Sequence, residues 1–421
     1  MEIFFIFLQV LFISLLVFHS IPNIKTESKY PLKLIDSLTL KSIIIMNIFL
    51  LFSFLSINTI YLLVILIFSS IIFIINKRNH YNLRFNLKSL FIFAYIFVIS
   101  IAMANQLEFS WDTKFFWYLK TINFYQNSNL INLDKIPATD YPHLGTYIWS
   151  FFWKYPFNTF EYLGRIFYIF IFVLSIFYFC EIFKTFDLYK IILSSFIIII
   201  SYSNELFSGN QEVLIFSLVL ISSRLSYEIL SKQTKYLTTN IFFLLLSFNC
   251  AMWIKNEGGF MLGFLLFLIL ILGNLTLNQK KILIIGSLFI VILRVLIFIL
   301  LDTSFESFQF EKTFNIKFSE FLYANLKIIL FYSFVYLTSL PLILLGLMFF
   351  IYNLYAFKVD QTQLFIATYT VLNILFIFSA FIFSMENVEW QVRVGLKRVM
   401  FETSGFYLLT IAYLFNKTQT K

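Results

Sequence analysis

Residues 282–301 form an apolar run of twenty residues in which Arg294 is the only charged side chain. A bilayer core takes roughly 20 apolar residues as a helix, so this run is long enough to cross a membrane. The rest of the chain has the same character, because 60% of its 421 residues are hydrophobic and only 13% are charged. A soluble domain of this length cannot bury so much apolar surface. The sequence therefore predicts an all-α polytopic membrane protein.

Apolar segments recur along the chain between short polar stretches. Allowing fewer than 20 residues where flanking side chains reach the interface, we expect about 11–13 transmembrane helices. The candidate spans are residues 3–18, 42–55, 59–75, 90–104, 166–180, 191–202, 213–230, 236–252, 258–273, 282–301, 328–351, 364–385 and 399–415. Residues 42–75 also fit one long helix. We expect a single membrane domain over 1–421, with N-terminal helices over 1–104, a long loop over 105–165 and a bundle over 166–421 that includes an outer loop at 302–327.

The distribution of charge predicts an orientation, because Lys and Arg gather on the cytoplasmic side of membrane proteins. With the N-terminus outside and every span crossing, the inner segments hold 18 basic and 6 acidic side chains, and the remainder holds 13 basic and 16 acidic ones. Membrane topology thus accounts for the net charge of +9, which gives no reason to expect nucleic acid as a partner. We expect a multi-pass protein of the inner (plasma) membrane.

In this topology the polar clusters fall almost entirely on the extracytoplasmic side. The longest outer segment, residues 105–165, holds half of the six prolines and many aromatic rings, which suits short helices lying at the interface. Asp112 lies near its start between Trp111 and Trp117, where a carboxylate is either a general base for a hydroxyl substrate or an interfacial charge. Glu108, one helical turn earlier, either shares this work or faces water.

Two further cations on this side are candidate ligands of a phosphate. Lys255 precedes Glu257 at a predicted helix N-terminus, whose backbone amides favour an anion, although both groups are also ordinary charges of a membrane border. Arg294 lies inside an apolar run, where an unpaired charge costs a few kcal/mol, so its side chain must reach the interface or meet an anion.

A cationic strip of Arg393, Lys397 and Arg398 precedes the last predicted span. Helical spacing would place these side chains together, and guanidinium groups bind phosphate oxygens in a forked geometry. The alternative is a solvated interfacial stretch. A turn at residues 205–212, with Glu205, Gly209, Asn210 and Glu212, either binds a sugar or only connects two helices.

Three short motifs, in this order, resemble those of bacterial membrane glycosyltransferases of the GT-C superfamily, which are related in architecture to protein O-mannosyltransferases and lipid A aminoarabinose transferases. The motifs are Trp111-Asp112…Trp117…Lys120, then Asp140-Tyr141-Pro142…Leu144, and then Lys255-Asn256-Glu257-Gly258. The likeness covers residues 105–273 and, more loosely, 390–398. It departs from the family in that the acidic loop follows about the fourth span rather than the first, and Asp112 has Glu108 four residues away instead of an adjacent acid.

The resemblance implies a GT-C-like bundle with a large extracytoplasmic loop, and an enzyme that takes a sugar from a polyprenyl phosphate carrier. Asp112 matches the acid of that loop and would be the catalytic base. The acceptor would be a hydroxyl group of a glycan, a lipid or a protein. The residues expected to contact substrate are Glu108, Trp111, Trp117, Lys120, Tyr141, His143, Lys255, Glu257, Arg294, Arg393 and Arg398. His143 is the weakest member, because a lone histidine in a loop is more often structural.

The expected reaction inverts the anomeric carbon, because Asp112 activates a hydroxyl that attacks opposite the phosphate, and the cations stabilise the departing phosphate. No nucleotide or other cofactor is expected. A divalent metal lacks support from the sequence, because one carboxylate is a poor site for Mg²⁺ or Mn²⁺ and no metal-binding spacing is present.

Two other classes of function remain open. A flippase for lipid-linked oligosaccharides would also direct cations into a cavity, but it favours charges at mid-membrane and internal duplication. An O-antigen polymerase or ligase would share the lipid-linked donor and use paired arginines on an outer loop. The Arg393–Arg398 strip suits such an enzyme, whereas the early Trp-Asp loop does not.

Overall fold

The structure is a computed structural model that describes residues 2–22, 33–55, 57–75, 86–127, 141–231, 237–300, 318–382 and 387–418. All regular secondary structure in these ranges is helical, as the composition predicts. Eight helices are long and apolar enough to cross a membrane, or nine if one bent pair counts as a single span. The described ranges therefore give fewer full-length spans than the sequence predicted, although the class of a multi-pass helical membrane protein is supported.

The helices are numbered in chain order. They are α1 Glu2–His19, α2 Leu34–Phe54, α3 Thr59–Ile75, α4 Leu87–Ala104, α5 Tyr118–Asn127, α6 Leu144–Lys154, α7 Ile166–Cys180, α8 Asp187–Ser201, α9 Glu212–Leu230, α10 Leu237–Ile254, α11 Asn256–Leu272, α12 Leu277–Leu300, α13 Phe318–Ser339, α14 Pro341–Ala356, α15 Gln361–Ile382, α16 Val388–Gln391, α17 Lys397–Ser404 and α18 Leu408–Thr418. Shorter turns are π-helical at Thr113–Trp117 and Val392–Leu396, and 3-10 at Glu161–Arg165, Asn204–Phe207 and Gly405–Tyr407.

Two helices form the centre of the molecule. Every side chain of α7 is buried, and almost every side chain of α9 is buried as well. Both helices are buried on all faces, as expected of a helix surrounded by other helices. α7 packs against α2, α4, α8 and α9, and α9 also packs against α10, α11 and α17. The remaining helices therefore enclose a core built on this pair.

The predicted span 328–351 is not one continuous helix, because two helices form it. α13 ends at Ser339 and α14 begins at Pro341, and their axes differ by 95°. Proline lacks an N–H and disfavours helical backbone in the residue before it, and Leu340 accordingly has φ −118° and ψ 81°. The helix consequently breaks where a continuous apolar run indicated one crossing.

Residues 42–75 form two helices, α2 and α3, and not the single long helix that the sequence also allowed. The outer loop differs from its predicted form too. α6 buries residues 144–152 and packs against α2, α5 and α10, so its apolar residues face other helices of the bundle. The part of the predicted outer loop 302–327 that precedes residue 318 lies outside the described residues.

Charged side chains gather at two opposite ends of the bundle. α9 begins with Glu212 at one end and carries Arg224 near the other, where Arg224 pairs with Asp36 at 2.7 Å and Glu228 at 2.8 Å. The two groups that the charge distribution assigned to opposite faces are thus separated along one central helix. Charge is costly within hydrocarbon, and this separation keeps the ion pairs near the ends of the helices.

Glu181 joins several segments at the end that carries Arg224. Its side chain is almost fully buried and lies 2.8 Å from Lys33, 2.6 Å from Lys88 and 3.2 Å from Lys190. Burial alone would raise the pKa of Glu181, but Lys33 and Lys88 lower that pKa to about 2. The carboxylate therefore stays ionised and holds the segment before α2, the start of α4 and the start of α8 to the end of α7.

Replacing Glu181 by Gln should lower the free energy of unfolding by about 3 kcal/mol, because three lysines lose a shared, buried carboxylate. Thermal unfolding in detergent measures this loss. The stabilisation is complete above the ordinary pKa of a glutamate and disappears as the pH falls towards 2, so wild type and variant should converge in acid. Asp187→Asn, at the exposed partner of Lys88, is the control and should change stability by less than about 0.5 kcal/mol. Equal losses from both variants would contradict the role of Glu181.

Candidate functional site

Asp112 stands at a helix start that is held by hydrogen bonds. α4 ends at Ala104, the chain is irregular over residues 105–110, and helix resumes just before the π-helical turn Thr113–Trp117. Ser110 Oγ and Thr113 Oγ1 donate to Asn210 Oδ1 at 2.7 and 2.9 Å. These bonds place Asp112 against the segment before α9. Asn210 thereby has a structural role in positioning the acid.

Glu108 does not lie one helical turn before Asp112 as expected. It falls in the irregular stretch after Ala104, and its side chain is exposed. The helical spacing on which the prediction depended ends with α4, so the two acids are not brought to one face of a helix.

Gly209 is required by the close approach of two segments. Its φ is +96°, which side-chain-bearing residues rarely adopt. A Cβ atom there would lie 2.3 Å from Thr113 Cγ2 and 2.8 Å from Trp149 Cη2. The absence of a side chain therefore lets the turn before α9 reach the helix that starts beside Asp112.

Asp112 pairs with Arg398, which is 286 residues away in sequence. Arg398 Nη2 donates to Asp112 Oδ2, and Nη1 lies 3.7 Å from Glu212 Oε1. Burial alone would lower the pKa of Arg398, but Glu212 and Asp112 raise it well above the ordinary value. Its buried Nε has no hydrogen-bond partner among the described residues. The side chain of Asp112 is 19% exposed, so solvent reaches one side of this ion pair.

Lys255 lies at the break between α10 and α11, and three carboxylates surround it. Its Nζ is 2.6 Å from Glu402 Oε1, 3.2 Å from Glu212 Oε1 and 3.7 Å from Glu257 Oε1. Burial alone would lower the pKa of Lys255, but these acids raise it well above the ordinary value. The ammonium is therefore charged and already engaged, which differs from the open phosphate ligand that the sequence indicated.

Together these residues form one charged cluster, defined as Asp112, Glu212, Lys255, Glu257, Arg398 and Glu402. It holds four acids and two bases, so acid is in excess. The Oε2 atoms of Glu212, Glu257 and Glu402 are buried and find no hydrogen-bond partner in the part of the chain that the structure describes. In the described part of the chain, no group of three or more His, Cys, Asp or Glu side chains is placed to hold a metal ion.

A cavity of about 110 Å³ opens beside the cluster. It lies between the end of α8, the bend between α13 and α14, and α17. Its polar wall includes Lys397, Arg398 and Glu212, and its apolar wall includes Leu340 and Pro341 at the bend. This arrangement suits a ligand that has an anionic group joined to an apolar part.

The cationic strip divides between two places. Lys397 and Arg398 line the cavity, whereas Arg393 is exposed and binds Glu389 and the hydroxyl of Tyr332. The expectation that all three cations share one face is wrong, because the intervening segment Val392–Leu396 is π-helical and its wider turn shifts the register.

Arg294 meets aromatic rings at its place on α12. Its guanidinium lies 4.2 Å from the ring centre of Trp253 and 4.0 Å from that of Phe298. Its Nη2 also donates to Asn256 Oδ1 at 3.1 Å. Cation–π contacts of this kind stabilise a cation that has left water, and Arg294 is not among the residues that line the cavity.

Three of the predicted substrate ligands contact one another between the start of α5 and the residues just before α6. Lys120 is buried, and its Nζ donates to the backbone oxygen of Tyr141 at 2.8 Å. The buried ring of Trp117 meets the ring of Tyr141 edge-on at 5.6 Å. None of the three lines the cavity. Trp111, by contrast, is about half exposed and contacts Trp390, which brings the segment before α17 towards Asp112.

His143 is buried among the rings of Phe54, Phe124 and Trp253. Its Nε2 lies 2.8 Å from Ser53 Oγ. Burial, with lesser contributions from nearby cations, holds the pKa of His143 well below its ordinary value, so the ring is neutral. These contacts tie the start of α6 to the end of α2.

Sequence reasoning missed Glu402, which is fully buried and contacts Lys255. It fell inside the predicted span 399–415 and was treated as part of an apolar run. An acid within such a run is itself a signal of function, because hydrocarbon disfavours an unpaired carboxylate.

Comparison of the chain with protein-family models, with curated proteins and with solved structures gives no match. The features that bear on function are the charged cluster, the cavity and the motifs of the sequence.

Gly209→Ala should destabilise the protein by about 2 kcal/mol, because a Cβ meets Thr113 and Trp149 in a backbone conformation that alanine disfavours. Thermal unfolding and the yield of folded protein measure the effect. Gly263→Ala is the matched control, since the nearest atom to its new Cβ is 3.6 Å away inside a helix. That variant should be neutral or slightly stabilised, and equal losses at both positions would show that the turn before α9 is not special.

Proposed function

We propose that this protein is a glycosyltransferase that moves a sugar from a polyprenyl-phosphate-linked donor to a hydroxyl acceptor at the extracytoplasmic face of the membrane. The observation that carries the proposal is the ion pair of Asp112 and Arg398 beside the cavity. The candidate phosphate ligand Arg398 lines the cavity, and the candidate base Asp112, from a distant part of the chain, contacts Arg398 without lining the cavity itself. The resemblance of the motifs around Asp112 to GT-C enzymes adds support.

The cavity favours a donor that combines phosphate with a hydrocarbon chain. Arg398 and Lys397 supply positive charge on one wall, and the bend at Leu340 and Pro341 supplies apolar surface on another. The Nε of Arg398, which has no hydrogen-bond partner in the described part of the chain, is a donor suited to a phosphate oxygen, and a guanidinium can bind two such oxygens at once. We assign the carrier phosphate to these two cations in place of the wider set of Lys255, Arg294 and Arg393.

The reaction requires a base near the acceptor and positive charge near the leaving group. Asp112 takes the proton of the acceptor hydroxyl, and the oxygen forms a bond to the anomeric carbon. The bond from that carbon to the phosphate oxygen breaks, and its electron pair leaves with the phosphate. Arg398 and Lys397 stabilise the charge that develops on the phosphate, and attack from the opposite side inverts the carbon.

Arg398 engages the carboxylate of Asp112 in the structure. A phosphate in the cavity competes for the guanidinium. As Arg398 turns to the phosphate, the carboxylate of Asp112 is released and can accept a hydrogen bond from the acceptor hydroxyl. Donor binding and release of the base are thereby linked through one side chain.

Asp112→Asn should reduce sugar transfer by about 10²–10⁴-fold, because an amide cannot accept the proton of the acceptor. Transfer from labelled polyprenyl phosphosugars is measured in membranes that contain equal amounts of wild type and variant. Glu108→Gln, which changes an exposed acid of the same loop, should retain activity. Full activity of Asp112→Asn would exclude the general base, and no transfer by the wild type from any donor would count against the transferase itself.

Arg398→Gln should lower kcat by about 10²-fold and raise the KM for the donor, because the leaving phosphate loses its main cation. Arg393→Gln is the matched control on the same segment. It removes an exposed ion pair outside the cavity, so kcat and KM should change by less than about twofold. Similar losses from both variants would contradict the assignment of phosphate to Arg398.

A further inference from the structure

A buried part of the charged cluster lies behind Arg398 and has no step in the proposed transfer. Its centre is Lys255, which contacts Glu212 and Glu402 within 3.2 Å and has Glu257 at 3.7 Å. The side chain of Glu402 is fully buried, and that of Glu212 is 4% exposed. Each of these charges is therefore felt strongly by its neighbours, because little water screens them.

Glu212 is shared between the two cations of the cluster. Its Oε1 lies 3.2 Å from Lys255 Nζ and 3.7 Å from Arg398 Nη1. Glu402 follows Arg398 by four residues on α17, a spacing that places both side chains on one face of the helix. Arg398 is thus attracted by acids on the inner side of the site as well as by Asp112.

We propose that Lys255 is a positioning residue that neutralises Glu212 and Glu402 and thereby leaves the guanidinium of Arg398 available to a phosphate-type anion in the cavity. The inference rests on the proposed function for the identity of that anion as the carrier phosphate. Lys255 prepares the site for the anion, and the proposed transfer does not by itself assign this role to any residue.

Because the charged cluster holds more acids than bases, loss of a cation and loss of an acid should affect Arg398 in opposite ways. With Lys255 present, two cations face four carboxylates. Without its charge, Arg398 alone faces all four, and the guanidinium is drawn from the cavity towards Glu212. Burial raises the pKa of Glu402 to about 8, although Lys255 beside it acts to lower that pKa, so Glu402 is fully ionised only above that pH. There, removing the charge of Glu402 acts in the opposite sense to the loss of Lys255, because one competitor for the cations is lost.

A purely structural role predicts a different pattern. The cluster ties the start of α9, the break between α10 and α11, and α17 together, so any loss of a member would loosen the site whatever its sign. A charge-balancing role predicts instead that a lost cation is compensated by a lost acid. Lys255→Met combined with Glu402→Gln separates the two roles.

The test measures binding of polyprenyl phosphate without a sugar to the full-length protein in lipid nanodiscs, at a pH above about 8 so that Glu402 is ionised. Lys255→Met should weaken binding by at least about tenfold, because Arg398, the one cation left in the charged cluster, is then held by buried acids and only Lys397 still faces the phosphate. Lys255→Arg should bind like the wild type, Glu402→Gln should bind at least as tightly, and the double variant should recover most of the affinity. Polyprenol without phosphate is the control ligand, and inorganic phosphate as a competitor shows whether the headgroup alone is bound.

Unchanged affinity in a folded Lys255→Met variant would overturn the inference, as would equal weakening by both single variants and the double variant. If Lys255→Met does not fold, the double variant decides by its affinity relative to the wild type and to Glu402→Gln. If the wild type binds polyprenyl phosphate but transfers no sugar, the transferase is refuted. The binding affinities of the variants then still decide whether Lys255 positions Arg398. Wild type that binds no polyprenyl phosphate would overturn the positioning role.

Discussion

The ammonium of Lys255 is the contact on which the charged end of this bundle depends. A buried cation requires acids close by, and those acids come from the first residue of α9, from the first turn of α11 and from α17. α9 is one of the two central helices. The ion pairs that join Lys255 to Glu212 of α9 and to Glu402 of α17 therefore also fix the position of α17 along the axis of the bundle. Arg398 is carried on α17, so its distance from Asp112 follows from how Glu402 meets Lys255.

Two π-helical turns flank the pair of Asp112 and Arg398. Thr113–Trp117 follows the acid directly, and Val392–Leu396 ends two residues before the arginine. A π-helical turn changes which residues share a face, and such turns occur often at functional sites. The contact between Trp111 and Trp390 joins the two segments, so both departures from regular helix occur where the acid and the cation have to meet.

The helical class and most helix positions follow from the sequence, because long apolar runs have one stable form in a membrane. Asp112, Lys255 and Arg398 were also candidates, since charges beside apolar runs are conspicuous. Their mutual contacts were not predictable, because no local pattern relates residues so far apart in the chain. Pro341 alone predicts a break in the helix, because proline disfavours helical backbone in the residue before it. The apolar residues on both sides of Pro341 nevertheless indicated a single span. Lys120 and His143 are among the ligands expected from the sequence, and their burial could not be predicted, because one sequence does not show which side chains the fold encloses.

The bend at Pro341 also shapes the cavity. The axes of α13 and α14 differ by 95°, so the two helices contact different parts of the bundle. α14 packs against α18, whereas α13 reaches the segment before α17 through Tyr332 and Tyr336. At the corner between them, Ser339, Leu340 and Pro341 line the cavity opposite α17. The break in the helix therefore supplies the site with a wall that a straight helix through this segment would not form.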